Sequence, residues 1–281
     1  MGRDGKFYGA LLCFVMGLSL LLYPSLANWV NGRHSSRVIS SYSNGLESLS
    51  DEDCLLEWDA AQKHNDLLAL QGFLAAGVDL EVRDHFEMYN GLLNVGKDGV
   101  MGVVRIPKVG VNLPVYHSCS ESVLQRAVGH YPGSSLPVGG SSSHCILSGH
   151  RGLPSAELFT HLDALDEGDL FFVDVLDQTL AYKVDKIVTI DPDSKEGMAL
   201  LNVVEGQDLM TLLTCTPYGV NTHRLLVRGH RVKYVEEQEF EEVKKGRSWS
   251  SFRLIFRVVI LLIAIFVAVW IGLFLARFRL G

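Results

Sequence analysis

From Gly102 to Val235 the chain is cut into short apolar runs by Pro, Gly and Ser, and this cadence constrains the fold more than any other feature. GVVRIPKVGVNLPVYH begins at Gly102, the turn-rich GHYPGSSLPVGGSSS begins at Gly129, and HCILSGH begins at His144. Runs this short, bounded by turn residues, read as strands rather than helices. Leu170 to Ile190 (LFFVDVLDQTLAYKVDKIVTI) alternates apolar and polar residues around Asp177-Gln178, the pattern of a hairpin with one face on a core. A short helix is expected at Leu158 to Leu165. Many short strands with frequent turns predict a mainly β body, a barrel or a sandwich, over residues 100–235.

The flanks are different. Asp51 to Ala76 has acidic residues first and leucines at helical spacing, an amphipathic helix with favourable charge at its start, within an N-terminal region of residues 28–99. Tyr8 to Ala27 is apolar behind Arg3 and Lys6, and residues 1–27 read as a signal peptide or a retained spanning helix. Val258 to Ala276 is nineteen uncharged residues followed by the basic tail 277–281, a transmembrane helix, with a charged linker at 236–257 ahead of it. Within that linker, Glu236 to Lys245 reads as a solvated stalk. Basic residues at both ends favour cytoplasmic termini, so the body is expected outside the cell membrane, with the lipid bilayer as a partner.

Of the formal charge of −7, the first 27 residues hold +1 and residues 247–281 hold +5, which leaves −13 for residues 28–246. A body this acidic argues against a nucleic-acid partner. The five cysteines at 13, 54, 119, 145 and 215 form no CxxC and no Cys/His pair at zinc spacing. A disulfide among Cys54, Cys119 and Cys145 is open, and the spacing does not pair them.

Thr211 to Arg231 (TLLTCTPYGVNTHRLLVRGHR) carries the chemistry. Thr211 to Thr214 reads as a strand, Pro217 to Asn221 as a turn, and His223 to Val232 as the returning strand, which brings Cys215 near Arg224. A thiol is a strong nucleophile only as thiolate, and a neighbouring imidazole or guanidinium favours that form. His150, where the run CILS opens into a loop, is the candidate imidazole, and Arg224 is a permanent cation able to face an oxyanion. Cys119 and Cys145 lack such neighbours and read as structural, as do His130 and His223. Arg228 shares a strand face with Arg224 by alternation, and Arg151 reads as a loop arginine pointing to solvent.

TLLTCTPYGVNTHRLLVRG resembles the signature of sortases, the membrane-anchored cysteine transpeptidases of Gram-positive bacteria, and in particular the pilin-polymerising class C. RIPKVGVNLPVYH, GHYPGSSLPVGG and SGHRGLPSAELFTHLDALDEGDLFF extend the resemblance over roughly Asp51 to Val235. It implies a closed eight-stranded β-barrel, with Cys215 as nucleophile, His150 as catalytic histidine, Arg224 holding substrate and oxyanion, and Thr214 lining the site. Class C enzymes commonly carry a lid with an Asp-Pro-aromatic motif. Here Arg83-Asp84-His85-Phe86 matches it with His85 in place of the proline, so Asp84 and Phe86 are the expected lid residues, without a fixed φ between them. The resemblance also implies cleavage of an LPXTG-like signal on a pilin or other secreted protein, and transfer to a pilin lysine. No metal or organic cofactor is implied. A housekeeping sortase using a cell-wall precursor, and a non-catalytic scaffold binding sorting signals, are the alternatives.

Overall fold

A computed structural model of the chain describes residues 3–71 and 88–246, and of residues 3–11, 14, 21 and 71 the backbone alone. The expected lid residues Asp84 and Phe86, the spanning helix at 258–276 and the tail 277–281 lie outside the described residues.

Eight strands follow the Pro/Gly/Ser cadence: β1 (Val100–Ile106), β2 (Val111–Tyr116), β3 (Val128–His130), β4 (Ser143–Ser148), β5 (Leu170–Val175), β6 (Gln178–Ile190), β7 (Asp208–Thr216) and β8 (His223–Val232). They close into a barrel in the order β1-β2-β3-β4-β7-β8-β6-β5. Closure leaves no unpaired edge. The hairpins β1/β2, β5/β6 and β7/β8 are antiparallel, as short connections require, whereas β2/β3 and β4/β7 are parallel and need longer crossovers. The β4-to-β7 crossover contains β5, β6 and three short helical elements. The helix expected at Leu158 to Leu165 shrinks to one 3₁₀ turn, Leu162–Ala164.

Inward residues, alternating with outward ones along each strand, fill the barrel. Phe171 and Tyr182 face each other across β5/β6 and stack at 5.6 Å, with Val104, Leu147, Leu212 and Val227 fully buried around them. Each such side chain contributes about 1.5–3 kcal/mol by leaving water.

Two helices precede the barrel. α1 (Arg3–Glu47) runs uninterrupted past the apolar stretch and docks through Tyr42, whose hydroxyl donates to the Met101 carbonyl at 3.4 Å and accepts from the Leu176 amide at 3.0 Å. Among the described residues no helix is long and apolar enough to cross a membrane. α2 (Asp51–Gln71) starts on a reciprocal cap, Ser50 Oγ accepting from the Asp53 amide while the Asp53 carboxylate accepts from the Ser50 amide. Its leucines are not the docking face: Leu55, Leu56, Leu67 and Leu70 are exposed. The face that meets the barrel holds Ala61, Gln62 and buried Asn65, and the Asn65 amide both donates to and accepts from the Leu136 backbone. Amides win that face because the 136–140 loop presents backbone polar groups that need partners.

The charged run after β8 is a helix over residues 236–246 and not a solvated stalk. Glu239 pairs with Arg105 of β1, Lys245 reaches Asp169, and Glu242 is buried. Every cysteine is a free thiol, so Cys54, Cys119 and Cys145 form no disulfide.

Candidate active site

β7 and β8 meet in register with Cys215 opposite Arg224. The turn between them, Pro217 to Asn221, closes with the amides of Val220 and Asn221 donating to the Pro217 carbonyl. Gly219 (φ +75°) and Asn221 (φ +62°) take the left-handed backbone the turn requires, which Gly and Asn adopt most readily. Arg224 folds over the turn, its Nη1 donating to the carbonyls of Asn221 and His223 at 3.2 Å each. Among the described residues no carboxylate pairs with it, so its charge is left for another partner.

The parallel pairing of β4 with β7 brings in His150. Ser148 lies opposite Leu213, the Gly149 amide donates to the Leu213 carbonyl, and Thr214 Oγ1 donates to the Gly149 carbonyl at 2.7 Å. His150 and Cys215 are the next residues on either side of this link, His150 opening the loop after β4 and Cys215 still paired within β7. Gly149 is required by crowding: a Cβ there would lie 2.8 Å from the buried Phe159 ring. The Phe159 amide in turn donates to the His150 carbonyl, fixing the start of the loop. Cys215, His150 and Arg224 are all half-buried, as groups that must meet a substrate need to be.

The other candidates separate from these three. Burial pushes the Cys119 thiol up to about 12, partly offset by a hydrogen bond with Ser148, and pushes the fully buried Cys145 thiol well up. Neither is a nucleophile near neutral pH. His130 is fully buried, its ring held between the Tyr89 hydroxyl and the Ser135 carbonyl, and desolvation drops its pKa to about 3. His223 is exposed and bonds to its neighbour Thr222. Arg228 forms a two-pronged pair with Asp185 and takes no part in the site.

Two contacts lie beyond what the sequence signals. Arg151 does not point to solvent: it is a strap, donating from Nη1 to Thr216 Oγ1 at 3.1 Å and from Nη2 to Asp163. It ties the residue after His150 to the residue after Cys215. Glu121, on the one-turn helix Glu121–Leu124, places Oε2 3.7 Å from His150 Nε2. Nothing in the sequence singles out a glutamate 29 positions upstream; position alone singles out Arg151. A cleft of about 530 Å³ adjoins the site, walled by Gly152, Leu153 and Pro154, by Tyr218 of the β7/β8 turn, and by Pro24 and Asn28 of α1.

Residues 104–232 match the sortase domain. The chain is 26% identical over 134 residues to sortase D of Bacillus subtilis, a match that covers 47% of this chain and spans 63% of that protein's length. Its fold superposes on the crystal structure of sortase C1 from Streptococcus agalactiae with a TM-score of 0.66 and 45% identity, covering 71% of this chain and all of that one. A sortase C from Streptococcus pneumoniae, whose structure is described for its pilin substrate specificity, is 38% identical with a TM-score of 0.60, covering 70% of this chain and 97% of that chain.

Proposed function

The chain belongs to the sortase family, and we propose that it is a class C cysteine transpeptidase that joins pilin subunits on the outer face of a cell membrane. The observation that carries this reading is the convergence of Cys215, His150 and Arg224 at one end of β4, β7 and β8, with Arg224 unneutralised. Each residue has a step it can perform. The Cys215 thiolate attacks the Thr-Gly carbonyl of an LPXTG-like signal, forming a C–S bond and placing negative charge on the carbonyl oxygen. Arg224 offsets that charge as it develops. Collapse breaks the C–N bond, and the leaving amine takes its proton from the His150 imidazolium. The thioacyl group stays on Cys215. A lysine amine of another pilin then attacks the same carbonyl, passing its proton to His150; the C–S bond breaks, an isopeptide bond remains, and the thiolate is restored.

Thr214 acts one layer back, its hydroxyl pinning the strand end that positions His150. The mostly apolar cleft beside Tyr218 suits the Leu-Pro portion of the signal. Asp84 and Phe86 are assigned to a lid over this site. The reading of the protein as membrane-tethered is supported by the exposed apolar residues of α1, such as Leu12, Met16, Leu20 and Leu26, together with the uncharged stretch 258–276.

The test uses a Cys215→Ala variant in cells with a tagged pilin. High-molecular-weight polymer is expected to vanish, and intact-mass analysis of the wild type with a signal peptide is expected to show a thioacyl adduct on Cys215. Polymer that persists in the variant would sink the reading.

A further inference from the structure

The outer face of α1 changes character along its length. Tyr23, Leu26, Val30, Arg33 and Arg37 follow one another at spacings of three and four, with His34 four residues after Val30 beside them, so they form a single stripe, apolar first and cationic after. The opposite face is the one committed to the barrel: Asn28 Oδ1 accepts from the Glu157 amide, Asn31 donates to the Arg126 carbonyl, and Ser35 and Tyr42 are buried. The stripe therefore cannot be satisfied by the barrel. Arg33, His34 and Arg37 are exposed, and among the described residues none pairs with a carboxylate. Arg33 instead lies over the Trp29 ring at 4.1 Å, and the cationic residues border a cleft of about 780 Å³ with Tyr23, Trp29 and Val30.

We propose that this stripe is a binding site for an anionic phospholipid of the outer leaflet, with the phosphate held by Arg33 and Arg37 and the acyl chains along Tyr23, Leu26 and Val30. Three features select that ligand. Apolar side chains give way to a Tyr, a Trp and then arginines over about four turns, the order in which a bilayer changes from hydrocarbon to headgroup. Guanidinium forks match phosphate oxygens two at a time, and Arg33 is already oriented by its ring contact. Finally, residues 28–246 carry −13, so an acidic membrane surface repels the body as a whole. A local cationic site just beyond the apolar stretch counters that repulsion where the helix emerges, against the tendency to keep basic residues on the cytoplasmic side.

This inference rests on the reading of α1 as membrane-embedded, and not on the transpeptidase chemistry. The test is native mass spectrometry of the full chain released from mixed micelles holding equal phosphatidylglycerol and phosphatidylcholine, with cleavage of a soluble signal peptide measured in parallel. The wild type is expected to retain phosphatidylglycerol severalfold over phosphatidylcholine. The pair Arg33→Gln/Arg37→Gln is expected to lose most of that preference, and Arg33→Lys/Arg37→Lys, which keeps the charge without the fork, to keep part of it. Peptide cleavage should stay unchanged in both, which separates failure here from failure of the catalytic assignment. Equal retention by the wild type and the Gln pair overturns the proposal. So does removal of the preference by millimolar inorganic phosphate, which would mark a soluble phosphate site instead.

Discussion

One strand, β7, has two ends of opposite character. At its start, Asp208 accepts from the Tyr182 hydroxyl at 2.9 Å and from the Gly140 amide at 3.0 Å, and three residues further on Thr211 shares a buried hydrogen bond of 2.7 Å with His144. At its finish, Cys215 is half-buried, Tyr218 and Val220 of the following turn are exposed, and Arg224 bonds only to carbonyls of its own turn. At the first end Asp208, His144 and Thr211 are all hydrogen-bonded; the second keeps a cation and a thiol uncommitted. A strand anchored so firmly at one end can leave chemistry unspent at the other, because the register that aligns Cys215 with Arg224 is held from the far side of the barrel.

Acid gives the largest expected effect, and it strikes the anchored side. Burial holds the pKa of His144 at about 4 and that of His130 at about 3, against roughly 6.5 in an unfolded chain. The unfolded state therefore takes up protons first as pH falls. The stability from these two neutral rings is complete above about pH 6.5 and is lost progressively as pH drops toward 4, by several kcal/mol in total. Thermal melts from pH 7.5 to 4.5 should show a steadily falling midpoint, and a flat profile would mean that the anchored end is not held by neutral histidines.

Arg224→Lys probes the open end. It keeps the charge but loses the planar fork, and kcat is expected to fall about 100-fold, as for loss of an oxyanion donor, with the melting temperature unchanged. A large drop in melting temperature would show that the open end carries structure after all. The smallest effect is the mirror image. Asp208→Asn turns one acceptor into a donor facing the Tyr182 hydroxyl or the Gly140 amide, at an expected loss of about 1–3 kcal/mol in urea unfolding. Signal-peptide kcat should be retained, and a kcat that fell with stability would erase the contrast between the two ends.

The open end was legible in the sequence because it is local. Cys215 and Arg224 are joined by one short hairpin whose turn residues announce it, and strand alternation does the rest. What escaped reading depends on partners far away in the chain. The parallel pairing of β4 with β7 cannot be seen from either strand, because both are simply apolar. The run at 236–246 looks solvated, since its partners Arg105 and Asp169 lie well over sixty residues upstream. The leucines of α2 do not mark its docking face, for a similar reason: only the 136–140 loop reveals that amides are needed there. Arg151 looked free because Asp163 and Thr216 belong to other segments.

The continuity of α1 carries a consequence for how such an enzyme meets its substrates. The helix that holds the apolar stretch also touches, through Asn28, the loop that leaves His150, with no break between Arg3 and Glu47. With that helix read as the anchor, the barrel is mounted on a mast and has no swivel of its own. On that proposal its reactive mouth would keep one altitude above the bilayer and travel only sideways, so a partner would be selected first by how high it carries its target and only then by sequence.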